Sequence, residues 1–121
     1  MSKKKNAFVI FAGEKEAGRV YHALAYAKQA HARGDDVEVY FGAEGTYWPG
    51  VLSDRGHSMY ALYQEVSQAG VIVGACQNCA VAFGHVESTT AACGLVQGPE
   101  DSFGQIDVLG LENTGWRVWL F

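Results

Sequence analysis

The sequence predicts an α/β protein, a three-layer sandwich around a mostly parallel sheet of four to five strands. Two observations carry this. Short apolar runs rich in β-branched and aromatic residues recur at 7–12, 37–41, 71–75 and 116–121, and the stretches between them show helical periodicity. Strands of a parallel sheet are covered on both faces by helices, so they read as near-continuous apolar runs.

Residues 7–12 (AFVIFA) form the first strand, ended by Gly13. From 15 to 33, Ala17, Val20, Tyr21, Leu24, Ala27 and Ala30 recur at spacings of three and four, with Gly34 as the stop of an amphipathic helix. The run VEVYF (37–41) is the second strand, which completes a right-handed strand-helix-strand unit. Residues 42–57 carry four glycines and Pro49 and read as a long loop with at most one helical turn. Ser58 is the predicted N-cap of a helix to about 69, with Met59, Leu62, Tyr63 and Val66 on one face. VIVGA (71–75) is the third strand, followed by a short helix to Phe83 closed by Gly84. The Thr-rich stretch 85–92 is ambiguous, Leu95-Val96 is a short strand, and Pro99-Glu100-Asp101 reads as a helix entry. Beyond it, Ile106, Leu109 and Leu111 are expected to face the core, and 116–121 is the last strand. With no repeat or linker in 121 residues, one domain over 1–121 is expected, residues 1–5 being a basic N-terminal tail.

Composition narrows the function. Hydrophobic residues make up 49% of the chain, enough to close a core without disulfide or metal staples. The formal charge is −4, and with Lys3, Lys4 and Lys5 gathered at the start the remainder is more acidic still. Such a body repels phosphate backbones, so no nucleic-acid partner is expected. No apolar run approaches the roughly 20 residues of a membrane span, and the apolar stretch after the basic start is too short for a secretion signal. No membrane association and a cytoplasmic location are expected.

Chemistry points to Cys76-Gln77-Asn78-Cys79. In open α/β sheets sites form at the carboxyl ends of strands, and Cys76 directly follows the third strand, with Cys79 in the first turn of the next helix. Backbone N–H groups converge there and favour thiolate, the nucleophilic form. Cys76 is therefore expected to have a lower pKa than Cys79 or Cys93. Cys93 reads as a core residue among Ala91, Ala92 and Leu95, with a resolving thiol as the alternative. A thioredoxin-like fold is disfavoured because the motif follows the third strand and the only prolines are Pro49 and Pro99. Cys76, Cys79, His85 and Cys93 include zinc-type ligands but lack a second close pair, so no metal is expected. His57 and His85 are candidates to support the thiolate, and Tyr47 and Trp48 to form an aromatic wall over it or an oligomer contact.

The AFVIF strand, the helix through Arg33 followed by GDDVEVYFGAEG, the VIVGAC strand with Cys-x-x-Cys-Ala, and Gly84 eight residues after Cys76 together resemble the DsrE/DsrF-like family of small sulfur-relay proteins over nearly the whole chain. The resemblance implies that Cys76 is an exposed acceptor cysteine that holds sulfane sulfur as a persulfide and passes it to a partner thiol, acting as a sulfur carrier or sulfurtransferase. Cys79 matches the second cysteine of many small members. The resemblance also implies no cofactor, a homotrimer or hexamer, and a protein sulfur donor or acceptor. The family often has a basic residue just before that glycine, where this chain has Phe83. The other function class open to the sequence is an oligomeric small-molecule or partner-binding module whose cysteines are packing residues.

Overall fold

The computed structural model describes residues 3–121. The apolar runs become parallel strands, and the helical stretches cross between them. In chain order these are β1 (Lys5–Ile10), α1 (Ala17–Ala32), β2 (Asp36–Phe41), α2 (Trp48–Leu52), α3 (Tyr60–Gln68), β3 (Ile72–Cys76), α4 (Gln77–Phe83), α5 (Val86–Ala92), β4 (Leu95–Val96), α6 (Val108–Asn113) and β5 (Arg117–Leu120). The five strands form one all-parallel sheet in the order β4-β3-β2-β1-β5. Helices flank it on both sides, giving the three-layer α/β sandwich that the sequence predicts.

Alternation along the strands sorts side chains into two cores. Phe8, Ile10, Val39 and Phe41 pack with Val20, Leu24 and Ala27 of α1 and Tyr63 and Val66 of α3. Val9 faces the other side with Cys76, Cys79 and Ile106, flanked by Tyr40, Val108 and Val118.

One irregularity decides which side holds the cysteine. Val39 pairs with Ile72 but Tyr40 pairs with Gly74, so β3 spends an extra residue, Val73, in a bulge. Strict alternation from Ile72 would turn Cys76 toward α1 and α3. The bulge shifts the parity, so Ala75 joins the α1 core and Cys76 the other one. Gly74 adopts φ +151°, and a Cβ there would lie 3.1 Å from the Gly94 carbonyl oxygen and from Val96 Cγ1.

Several expectations are corrected. The loop expected at 42–57 is largely helical: a 3-10 turn over Ala43–Tyr47 runs into α2, and Pro49 occupies a first-turn position where its missing N–H costs nothing. Ser58 does not cap α3. Met59 is the cap residue, and His57 closes the preceding turn by accepting the Met59 N–H at Nδ1 (3.0 Å). The ambiguous 85–92 stretch contains α5, which a buried hydrogen bond from Thr89 to the Thr46 carbonyl (3.3 Å) fastens to the 3-10 turn. Leu109 is 75% exposed rather than core, because only Ile106 reaches inward before α6 begins. The basic tail is shorter than expected. Met1 and Ser2 lie outside the described residues, Lys5 already belongs to β1, and Lys3 pairs with Asp36 (3.2 Å).

Candidate functional site

Cys76 ends β3 and is the N-cap of α4, its Sγ accepting the Cys79 N–H at 3.4 Å. The thiols are not open to solvent. Cys76 is 0% exposed and Cys79 8%, which overturns the expectation of an exposed acceptor. The cause is the segment before α6. Ile106 anchors in the cysteine core and draws residues 103–105 across the sulfurs like a strap.

The strap makes specific contacts. Gln105 Oε1 accepts from both thiols, at 3.1 Å from Cys79 and 3.6 Å from Cys76, and the Gly104 carbonyl makes a longer contact of 4.0 Å to Cys76. Asn78, inside the Cys-x-x-Cys, donates to the Phe103 carbonyl (2.7 Å). The Gly98 N–H closes the strap on itself by donating to Gly104 (2.9 Å), and a Cβ on Gly98 would collide with the Gln105 carbonyl. Ala43 (φ +48°) and Phe103 (φ +56°), the two non-glycine residues with positive φ among those described, both touch the Cys76–Cys79 segment. Phe103 meets Asn78, and the Ala43 backbone reaches Cys79. Strained backbone persists where surrounding structure holds it and clusters at functional sites.

Burial pushes the Cys79 thiol up to about 11, with the neighbouring Cys76 thiol adding to the rise and the Ala43 backbone opposing it. Burial alone pushes Cys93 up to about 11. Gln105 Oε1 offers the Cys79 thiol an acceptor oxygen, which suits its S–H form.

The remaining predicted residues gather elsewhere. Tyr47, His57 and His85 line a separate cleft of about 560 Å³ with Val51, Asp54 and Ser88. Trp48 backs the cleft through edge contacts with Tyr47 and His57. It is itself 2% exposed, its indole N–H donating to the Ala12 carbonyl (2.9 Å), so it is a packing residue rather than a wall over the cysteines. The Thr46 hydroxyl lies within hydrogen-bond reach of both the Ala43 carbonyl (3.1 Å) and His85 Nδ1 (2.9 Å). His57 Nδ1 accepts from Met59. Among the described residues neither imidazole hydrogen-bonds a thiol, which corrects the expectation that one supports Cys76. The same residues contain no cluster of three or more His, Cys, Asp or Glu side chains able to hold a metal ion, and no helix long and apolar enough to cross a membrane.

The structure places Cys76 and Cys79 side by side, and beside them Gln105, Asn78 and Ala43, which the sequence pattern does not single out. Asn78 lay inside the motif and was readable as a polar contact. Gln105 sits in an irregular segment with no local signal.

The chain is 24% identical over 118 residues to the uncharacterized protein MJ0733 of Methanocaldococcus jannaschii, an alignment covering 94% of this chain and 93% of that protein. No solved structure matches significantly. The DsrE/DsrF-like family model matches residues 4–114, from the start of the first strand through the cysteine pair and the strap to the end of α6. The chain belongs to the DsrE/DsrF-like family.

Proposed function

We propose that the protein handles sulfane sulfur, with Cys76 as acceptor and a partner's thiol as recipient. The observation that supports this most is the bulge in β3, which delivers Cys76 to the carboxyl end of the sheet beside Cys79 in a chain of this family. The Cys76 thiolate attacks the outer sulfur of a donor persulfide. That S–S bond breaks, the donor leaves as its thiolate, and Cys76 holds the sulfur as Cys–S–SH. A partner thiolate then attacks the outer sulfur and Cys76 leaves, so neither step needs an external oxidant or a cofactor. The strap must lift for a partner to reach the sulfur. A homotrimer or hexamer is proposed from the exposed apolar side chains Val81, Phe83, Phe103 and Leu109, and a cytoplasmic location from three unpaired cysteines that suit a reducing compartment.

Incubation with sodium tetrasulfide followed by mass measurement tests the reading. In Cys79→Ser protein Cys76 gains one sulfur atom, and adding Cys76→Ser abolishes the gain. The burial of both thiols and the cleft of Tyr47, His57 and His85 favour a second reading, a binding module with packing cysteines. It predicts that Cys76 resists iodoacetamide until the protein is denatured.

A further inference from the structure

We propose that Cys79 resolves a persulfide on Cys76 within the same chain, releasing hydrogen sulfide and leaving a Cys76–Cys79 disulfide. The proposal rests on the persulfide reading above and adds a second fate for the sulfur.

Three observations carry it. Both thiols bond the same Gln105 oxygen, so the sulfurs lie no farther apart than those two contacts allow, and Cys76 Sγ also touches the Cys79 backbone N–H. Residues three apart at a helix start are neighbours, and a Cys-x-x-Cys at such a start is the arrangement that thiol–disulfide proteins use. Cys76 is fully buried under the strap, so in this closed arrangement the second thiol nearest its sulfur is Cys79, not a partner's. Cys93 cannot compete, because it packs against the α1 core across the sheet and its thiol bonds the Gly94 carbonyl (3.4 Å).

The step balances. Cys79 sulfur attacks the inner sulfur of Cys76–S–SH, the Cys76–Cys79 bond forms and the bond to the outer sulfur breaks. The outer sulfur leaves as hydrosulfide and takes up the Cys79 proton, giving hydrogen sulfide. Two cysteine thiols are oxidised and one sulfane sulfur is reduced, so the persulfide itself is the oxidant.

The test uses the Cys93→Ser protein and its Cys79→Ser and Cys79→Ala derivatives. Each is loaded with a stoichiometric amount of sodium tetrasulfide, desalted, and followed by mass, free-thiol count and sulfide assay, with circular dichroism to compare folds. With both thiols present, the persulfide is transient, one sulfide is released per persulfide lost, and peptide mapping finds the 76–79 disulfide. In both Cys79 variants the Cys76 persulfide lives at least about 10-fold longer, because a positioned thiol reacts at high effective concentration. Equal persulfide lifetimes with no disulfide would overturn the inference and leave the acceptor role intact. No persulfide at Cys76 in folded Cys79→Ser protein would overturn the acceptor role itself.

Discussion

Gly74→Ala probes the device that aims Cys76. A side chain at φ +151° is held in a sparsely populated region at a cost of about 1–3 kcal/mol. The new Cβ would also press on the Gly94 carbonyl oxygen at 3.1 Å, tighter than ordinary contact. That oxygen cannot retreat freely, because it accepts the Ala75 N–H (3.0 Å) that ties β3 to the β4 edge, and weakening this bond adds about 1 kcal/mol. The expected loss is about 2–4 kcal/mol, which at a urea m-value of about 2 kcal/mol/M lowers the unfolding midpoint by about 1–2 M. Gly70→Ala is the control. It also has positive φ, +76°, but meets nothing within 4 Å, so it bears only the left-handed penalty of about 1–2 kcal/mol. Since Gly74 sits between the bulged residue and Cys76, Gly74→Ala should also change the iodoacetamide rate of Cys76 while Gly70→Ala leaves it unchanged. If the two variants lose equal stability and label alike, the bulge does not hold Cys76 as argued.

Asn78→Ala removes the strap's bond to the Phe103 carbonyl. It should cost about 1 kcal/mol of global stability but raise the labelling rate of Cys76 several-fold in a Cys79→Ser, Cys93→Ser background, through local opening. Trp48→Phe leaves the buried Ala12 carbonyl without its donor and should lower stability by about 1–3 kcal/mol in urea unfolding. Stability should also fall in alkali. Cys79 and Cys93 hold their protons to about 11 in the fold, whereas thiols of the unfolded chain ionise near 8.5. The unfolded state therefore binds fewer protons above about pH 8.5, and the stabilisation complete below that pH is lost progressively toward about 11. Urea midpoints across this window should fall, and fall less in a Cys79→Ser, Cys93→Ser variant; above about pH 10 the half-buried phenol of Tyr40 and the buried phenol of Tyr63, also raised by desolvation, add to the decline in both.

Much of the sheet was legible in the sequence because its strands are short apolar runs, most clearly AFVIF of β1, which is buried on both faces. The placement of Cys76 at a strand end followed from the run ahead of it. The glycine inside VIVGA is a signal for a bulge, but only pairing with β2 shows which residue is the extra one. Trp48 and Tyr47 looked alike in a glycine-rich stretch. Only the tertiary neighbour Ala12, far away in sequence, makes one a core residue and leaves the other at a cleft. Gln105 was invisible for the same reason: its role comes from Ile106, whose burial beside Val9 carries the strap over residues almost thirty positions earlier.

The strand order has a consequence for how the chain reaches this state. β1 lies inside the sheet, yet one of its two neighbours is β5, so its second edge stays open until the last strand docks. The Asn6 side chain records the delay. It donates to nearby Asp35 (3.0 Å) but accepts from the Trp119 indole (2.9 Å), 113 residues later in the chain. Closing so long a loop costs about 4 kcal/mol of chain entropy before any contact repays it. Docking of β5 should therefore come late in folding, and during synthesis on the ribosome an apolar strand with a free edge waits for more than a hundred further residues to emerge, a period of vulnerability to association with other nascent chains.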